Sequence, residues 1–201
     1  MPLFNTISHE NGSKAYIWKI EEPESFFTNR ISIISAKKNP THAMEFLASR
    51  FLLSELIPNF QEEDLQFDEK GKPFLKNFNQ QLSISHSFPY VAISLSAQST
   101  GIDIQVYREK IITIQSKFLT AEEQKILNNN VQNLTLAWTA KEAVFKWFGE
   151  GGLDFKQHMP IRKVQIEPNY ISIDIEFHKI APFLPLRLSG GIEKDFAWSF
   201  L

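Results

Sequence analysis

The sequence predicts an α+β protein made of two similar halves that meet near residue 100. Two observations lead to this prediction: strands, helices and strands follow one another twice along the chain, and no low-complexity segment or long linker separates the two rounds. The chain has 201 residues, of which 43% are apolar, enough for two small halves packed together. We place the halves at residues 1–98 and 99–201, although no internal sequence repeat marks them.

The first half begins with a predicted strand at residues 14–20, where aromatic and β-branched residues are concentrated, followed by a predicted helix at residues 24–36. A stronger helix signal starts at Pro40 and Thr41 and ends at Pro58. Between these bounds, apolar residues recur at helical spacing: Ala43, Phe46, Leu47, Phe51, Leu53, Leu56 and Ile57.

After this helix the apolar pattern becomes alternating, which indicates strands. The segment Gly71-Lys72-Pro73 predicts a turn. Residues 82–87 and 91–96 then predict two short strands joined by a second turn at Phe88-Pro89.

The second half opens with a strand predicted at residues 101–107, where apolar and polar residues alternate. Helices are predicted from about residue 113 to residue 149, and the glycines between Gly149 and Gly152 are expected to end them. From Val164 onward the pattern alternates again, most clearly over residues 170–177, and we expect a closing hairpin around Gly190-Gly191.

Composition excludes several classes of function. The 21 basic and 23 acidic residues give a formal net charge of −2, so we expect no binding to nucleic acid. The chain has no cysteine, which excludes disulfides, thiolate metal sites, iron–sulfur clusters and thiol nucleophiles. Any metal ion must therefore be held by oxygen atoms or imidazoles.

Nothing in the sequence predicts a membrane location. No apolar run approaches the roughly 20 residues that a membrane helix needs, and the segment that starts at Met1-Pro2 lacks the basic and apolar regions of a signal peptide. We therefore expect a cytoplasmic protein.

The most informative segment is the helix that contains Trp138 to Lys146. On a helical wheel, Glu142 and Lys146 fall on a narrow polar arc with Thr135 and Thr139, while Lys141 lies in the middle of the apolar arc. Glu142 and Lys146 can be a surface ion pair or can border a cleft. Lys141 either extends its ammonium to water or has an anionic partner, because an unpaired buried ammonium is too costly. The apolar arc comprises Leu134, Ala137, Trp138, Val144, Phe145 and Phe148.

Two strands carry further polar side chains. Asp103 and Gln105 project from the same strand face, and two oxygen donors on one face suit Mg²⁺, although a solvent-facing acidic residue would show the same pattern. In the other strand, His86 lies on the side of Leu82 and Ile84, and the serines face the opposite way. His86 is either a core histidine or, because it lies at the strand end, an accessible imidazole.

Four segments together resemble a known family. They are Gly71-Lys72-Pro73, Leu82 to Ser87, Gly101-Ile102-Asp103-Ile104 and Trp138 to Lys146, and they occur in the order and approximate spacing of the signature segments of 4′-phosphopantetheinyl transferases. The sequence is similar to the longer, monomeric, surfactin-synthetase-activating branch from about Glu45 to Gly152. This resemblance implies two α+β halves related by pseudo-two-fold symmetry, each a small, mainly antiparallel sheet packed with helices, with a ligand cleft between them.

The resemblance also implies an activity. Members of the family that the sequence resembles transfer the 4′-phosphopantetheine group of coenzyme A to a serine of an apo acyl or peptidyl carrier protein and release adenosine 3′,5′-bisphosphate. The expected ion is Mg²⁺, with Mn²⁺ as the alternative, and the expected partners are coenzyme A and the carrier protein. We expect a monomer.

The resemblance assigns roles to individual residues. Asp103 and Glu142 match the metal-binding carboxylates, with Gln105 as the third ligand, and the metal site belongs to the second half. Glu122 matches the carboxylate that takes the serine proton, although its neighbour Glu123 is an alternative. Glu122, Glu142 and Lys146 form the expected catalytic set, and the expected coenzyme-binding residues are Arg50, Lys72, Ser85, His86 and Lys146.

Arg50 has a second interpretation, because it lies within the apolar arc of its helix and can equally pair with a core carboxylate. Lys141 can likewise be structural or contact phosphate. Two departures from the family pattern matter. Many members have glutamate where this chain has Gln105, which predicts weaker metal affinity, and relatives are often more basic around Asn39 to His42. A non-catalytic relative that binds coenzyme A or a carrier protein is therefore the alternative.

Overall fold

The computed structural model describes residues 3–9, 12–31, 33–168 and 170–201. The chain divides into two compact units, Met1–Thr100 and Gly101–Leu201, which we call the N-terminal and C-terminal units. Helices and antiparallel sheets occur in both units, so the predicted α+β class is confirmed. The predicted pseudo-two-fold symmetry stays a prediction.

The N-terminal unit contains a four-stranded sheet with the order β1-β2-β6-β5 and the two-stranded sheet β3-β4. Its long helix, α2, packs against the larger sheet through a core that includes Trp18, Leu47 and Val91. The elements are β1 (Leu3–Ser8), β2 (Lys14–Lys19), α1 (Glu24–Thr28), α2 (Pro40–Leu56), β3 (Leu65–Phe67), β4 (Pro73–Leu75), β5 (Gln81–Ser87) and β6 (Tyr90–Ser96).

Helix α2 starts as the sequence predicts. Pro40 occupies the first helical turn, where its missing N–H costs nothing, and the Asn39 side chain accepts a hydrogen bond from the His42 backbone N–H. The helix predicted at 24–36 is wrong beyond Thr28, since α1 ends there and residues 33–36 form no helix. β-Branched residues follow this end, with low helix propensity. Ser32 lies outside the described residues.

The C-terminal unit is a five-stranded antiparallel sheet with the order β7-β11-β10-β9-β8, covered by a long helix, α5. Its core includes Leu136, Ala140 and Ile173. The elements are β7 (Ile102–Val106), α3 (Lys110–Ile114), α4 (Ala121–Ile126), α5 (Val131–Phe148), α6 (Phe155–His158), β8 (Ile161–Glu167), β9 (Tyr170–Phe177), β10 (Leu184–Ile192) and β11 (Phe196–Phe200).

The helical stretch predicted from 113 to 149 consists of three α-helices, α3, α4 and α5, with a short 3₁₀ turn at Gln115–Lys117. Asn128 and Asn129 have φ values of 53° and 51°, which interrupt the helix before α5. Asn130 then accepts a hydrogen bond from the Asn133 backbone N–H and caps the new helix. Gly149 ends α5 with a φ of 74°, as the sequence predicts.

The closing hairpin is present, formed by β10 and β11, but its predicted turn at Gly190-Gly191 is wrong, because both glycines lie inside strand β10. Their role is to allow close packing. A Cβ atom on Gly190 would meet the side chains of Leu136 and Ile173, and one on Gly191 would meet the ring of Trp198. The chain turns instead between Ile192 and Phe196, where strands β10 and β11 are joined.

Gly101 lets strand β7 lie directly against helix α5. A Cβ atom at this position would meet the backbone oxygen of Ala143 and the backbone nitrogen of Trp147. These are main-chain atoms of a helix, so they cannot move aside as the end of a flexible side chain can. The absence of a side chain at residue 101 therefore fixes how closely β7 and α5 approach.

We expect Gly101→Ala to lower the free energy of unfolding by about 1–3 kcal/mol, because the added methyl group overpacks this contact. Urea denaturation of the purified variant measures the change. Ser99→Ala, at an exposed position two residues earlier, is the matched control and should leave stability unchanged. Equal stability of Gly101→Ala and the parent chain would contradict the close contact.

Among the helices formed by the described residues, none combines the length and the apolar character that crossing a membrane requires. The expectation that the first residues form no signal peptide concerns Met1 and Pro2, which lie outside the described residues, and it stays a prediction.

Candidate functional site

Asp103 and Lys146 form an ion pair between strand β7 and helix α5. The Lys146 ammonium donates to Asp103 Oδ1 at 2.7 Å and to the backbone oxygen of Ile102 at 3.1 Å. The Asp103 side chain is 10% exposed and that of Lys146 is 27% exposed, so the pair lies at the edge of the core. The structure therefore brings together two residues that the sequence places 43 positions apart.

The strand register explains why Asp103 faces α5. Asp103 lies opposite Ser199 of β11, and cross-strand partners point to the same side of a sheet. The Ser199 hydroxyl is 2.9 Å from the hydroxyl of Thr139 on α5. Thr139, on the polar arc of α5, is thus buried against the sheet, whereas Glu142 and Lys146, farther along the same arc, are more accessible.

Glu142 lies in the same electrostatic environment. The pKa of Glu142 is raised to about 7, chiefly by burial and also by the negative charge of Asp103, while the positive charge of Lys146 opposes both effects. Two carboxylates thus share a site with one lysine, an arrangement that an additional cation would stabilise.

The oxygen donors at this site fit a hard divalent cation such as Mg²⁺, and Mn²⁺ accepts the same ligands. Gln105 follows Asp103 on the same strand face and donates from Nε2 to the Val106 backbone oxygen at 3.2 Å. Within the described residues, no three histidine, aspartate or glutamate side chains are grouped to hold a metal ion. The neutral amide oxygen of Gln105 is a candidate for a third protein ligand here.

Lys141 has an anionic partner, so the first of its two sequence interpretations does not apply. Its side chain is fully buried, and Nζ lies 2.6 Å from Glu123 Oε1. The ammonium also donates to the backbone oxygens of Phe118 at 2.9 Å and Phe155 at 2.8 Å. These three acceptors satisfy the three ammonium donors, which indicates a structural role rather than a phosphate contact.

The adjacent residues Glu122 and Glu123 have different environments. Glu123 is buried and accepts hydrogen bonds from the backbone N–H groups of Thr120 at 2.7 Å and Ile161 at 2.8 Å. Glu122 is exposed, and hydrogen bonds from its own backbone N–H and from the Thr120 side chain lower its pKa. Glu122 is therefore the solvent-accessible carboxylate of this pair.

In the N-terminal unit, His86 is accessible, as its position at the strand end predicts. Its side chain is 52% exposed, and Nδ1 lies 3.1 Å from Glu45 Oε2. Ser85, the other residue expected on this strand to contact the coenzyme, is only 5% exposed. Because consecutive strand residues point to opposite faces, the two side chains do not share a surface.

Arg50 pairs with a carboxylate, which was one of its two interpretations. Nε donates to Glu62 Oε1 at 3.1 Å, Nη1 donates to the Ser49 hydroxyl at 3.2 Å, and the guanidinium lies over the Phe46 ring. Its side chain is only 10% exposed.

Lys72 is half-buried and immediately precedes β4. Its backbone N–H donates to Asp68 Oδ1 at 2.8 Å, in the turn predicted at Gly71.

The sequence did not predict that Glu45 and Glu62 are the ion-pair partners of His86 and Arg50. A signal for Glu45 exists, because it falls about 20° from the buried Leu52 on the α2 wheel. An acidic residue on a buried helix face requires a partner, by the reasoning that applies to Lys141. Glu62 lies in a short 3₁₀ turn, where no periodicity indicates its direction.

Comparison with known proteins identifies the family. The family model for the 4′-phosphopantetheinyl transferase superfamily matches residues 99–199, which include every element of the C-terminal unit except the last residue of β11. No curated protein gives a significant match to the chain. The matched span contains Asp103, Gln105, Glu122, Glu142 and Lys146. The chain therefore belongs to the 4′-phosphopantetheinyl transferase superfamily.

Proposed function

We propose that this protein transfers the 4′-phosphopantetheine group of coenzyme A to a serine of an apo acyl or peptidyl carrier protein, as a Mg²⁺-dependent transferase of the holo-carrier-protein synthase type. The observation that carries this proposal is the pairing of Asp103 with Lys146, 2.7 Å apart, beside the half-buried Glu142, within the span that matches the family.

In the proposed reaction, the serine oxygen forms a bond to the phosphorus that bears the pantetheine arm, and the pyrophosphate bond of coenzyme A breaks. The electron pair of the broken bond leaves with adenosine 3′,5′-bisphosphate, and the serine proton passes to a carboxylate of the transferase. The protein's tasks are therefore to hold the pyrophosphate, to offset its charge and to accept one proton.

Asp103 and Glu142, with the amide oxygen of Gln105, are the proposed ligands of the metal ion. A bound Mg²⁺ would polarise the pyrophosphate and offset the charge that moves to the leaving bisphosphate. The amide of Gln105 lacks the charge of a glutamate, and a unit charge at about 4 Å contributes on the order of 4 kcal/mol at an effective dielectric constant of 20. We therefore propose a lower metal affinity than a three-carboxylate site would have.

The remaining roles are also proposals. Lys146 adds positive charge next to Asp103 and is the proposed phosphate contact of the C-terminal unit. Glu122 is the proposed proton acceptor, supported by its exposure, whereas Glu123 is engaged by Lys141. A lowered pKa makes Glu122 a weaker base, so its position at the N-terminus of α4 has to compensate through proximity to the serine.

His86, Lys72 and Ser85 are the proposed coenzyme contacts of the N-terminal unit, and the exposure of His86 supports its role best. Two residues have weak support. Ser85 is 5% exposed and lies on the opposite face of β5 from His86, and the guanidinium of Arg50 is already surrounded by Glu62, Ser49 and Phe46. The cytoplasmic location and the monomeric state stay predictions.

The proposed function predicts a covalent product. Incubation of an apo carrier protein with this protein, coenzyme A and Mg²⁺ should add the mass of one phosphopantetheine group, as measured by intact-protein mass spectrometry. Excess EDTA should prevent the gain, and Mn²⁺ should restore it. A carrier protein whose acceptor serine is replaced by alanine is the control and should gain no mass.

The absence of a mass gain with several acyl and peptidyl carrier proteins would contradict the transferase. If coenzyme A still raised the melting temperature, and did so without Mg²⁺, the non-catalytic binding relative would be the better description. Gln105 is the residue that keeps this alternative open.

A further inference from the structure

Glu45 connects helix α2 to the end of strand β5. Its side chain is only 7% exposed. One carboxylate oxygen, Oε2, lies 3.1 Å from His86 Nδ1, and the other, Oε1, accepts a hydrogen bond from the Phe88 backbone N–H at 2.9 Å. A buried carboxylate with a partner on each oxygen has a fixed orientation.

This contact determines which imidazole nitrogen carries a proton. A carboxylate is only an acceptor, so the ring nitrogen that faces Glu45 has to be protonated to donate to it. The outward nitrogen, Nε2, is then an acceptor in the neutral ring and a donor in the imidazolium. Only the imidazolium can donate to a phosphate while it keeps its contact with Glu45.

The cross-strand neighbours of His86 are apolar. Its cross-strand partner is Val91 on β6, and the next strand presents Trp18 opposite Val91. The Trp18 indole donates a hydrogen bond to Glu22 Oε2 at 3.2 Å. Glu45 is thus the carboxylate that directly contacts the ring.

We infer that Glu45 is a positioning residue, which holds His86 with Nδ1 protonated and presents Nε2 to a phosphate of the bound coenzyme. This inference rests on the proposed function for the identity of the ligand. The inferred protonation of the imidazole ring does not depend on the proposed function. Glu45 acts through His86 and does not itself touch the substrate.

The first test needs neither coenzyme nor activity. Long-range ¹H–¹⁵N correlation spectra of the imidazole nitrogens should show neutral His86 as the Nδ1-protonated tautomer. In Glu45→Gln the amide oxygen can serve only one of the two donors, so the spectra should shift toward the Nε2-protonated form. Glu55→Gln, at an exposed position on the same helix, is the matched control and should leave the spectra unchanged.

The second test measures coenzyme A binding by calorimetry between pH 5.5 and 8.5. The dissociation constant of the parent chain should rise toward the alkaline end of this range, because only the imidazolium donates from both ring nitrogens. Glu45→Gln should bind coenzyme A about tenfold more weakly at pH 6, and Glu45→Asp should recover part of the loss. In transfer assays the effect should appear mainly in the KM for coenzyme A.

The two tests separate the possible failures. An Nε2-protonated His86 in the parent chain, or unchanged spectra in Glu45→Gln, would overturn the role of Glu45. Coenzyme A binding that is equal in the parent chain and in Glu45→Gln at every pH would also overturn it. Spectra as expected, with no coenzyme A binding to the parent chain, would instead contradict the proposed function and with it the phosphate ligand.

Discussion

Replacing Lys141 with methionine is expected to lower the free energy of unfolding by about 3–5 kcal/mol. The substitution keeps most of the side-chain volume but removes the ammonium that Glu123 faces at 2.6 Å. It leaves a buried carboxylate without its counter-ion and two backbone oxygens, those of Phe118 and Phe155, without a donor. Removal of one partner of a buried pair costs far more than the pair itself contributes.

Urea denaturation followed by circular dichroism measures this loss. Lys125→Met, at an exposed position on α4, is the matched control and should change stability by less than about 0.5 kcal/mol. The double variant Lys141→Met with Glu123→Gln should be more stable than the sum of the two single losses predicts, because no uncompensated charge remains. A Lys141→Met protein as stable as its parent would show that the ammonium is not buried in this network.

Glu142→Gln is expected to lower the transfer rate at least about 100-fold, since the proposed metal ion loses a charged ligand. The same variant should be more stable than the parent chain in metal-free buffer at pH 8. The second effect follows from the pKa of Glu142, which burial and Asp103 raise to about 7 from an ordinary value of 4.5.

The direction of the pH effect is fixed by this shift. A raised pKa means that the folded chain holds the proton of Glu142 more tightly than the unfolded chain does. The resulting stabilisation is complete below pH 4.5 and is lost as the pH rises through 7. At pH 8 the ionised Glu142 should therefore cost the parent chain about 1–3 kcal/mol that the glutamine variant does not lose.

Transfer assays and urea denaturation at pH 5 and pH 8 measure the two effects separately. Glu167→Gln, at an exposed position on β8, is the control and should change neither the rate nor the pH dependence. A parent-like transfer rate in Glu142→Gln would contradict the metal assignment. A glutamine variant that loses stability at pH 8 would contradict the buried, carboxylate-rich environment of Glu142.

Local periodicity predicted the elements whose burial repeats regularly along the chain. Helix α2 and strands β5, β6 and β7 were found this way because each has a continuous apolar face. The two strands β3 and β4 are each three residues long, too short to show a period. The turn was predicted wrongly at Gly190 and Gly191, because glycine occurs at sites of close packing as well as in turns. Only the neighbouring side chains distinguish these uses.

Local sequence patterns were also insufficient to predict the contacts of the candidate site. The helical wheel indicated that Lys141 either reaches water or has an anionic partner. The structure supplies the partner, Glu123, 18 residues earlier in the sequence, through packing that no single element encodes. Likewise, the contact between Glu45 and His86 joins a helix to a strand. Residue patterns thus identified which side chains require an explanation, whereas the identities of their partners depend on how separate elements pack.

The missing side chain at Gly101 has a further consequence for the proposed metal site. Asp103 follows Gly101 by two residues on β7, and Glu142 immediately precedes Ala143, whose backbone oxygen a Cβ at position 101 would meet. The two carboxylates are therefore attached to backbones that touch without intervening side chains. Binding of a cation would then require little reorganisation of the main chain, so the entropy lost on coordination would come mainly from side-chain rotation. The preorganisation of the site thus depends on a residue that supplies no ligand atom.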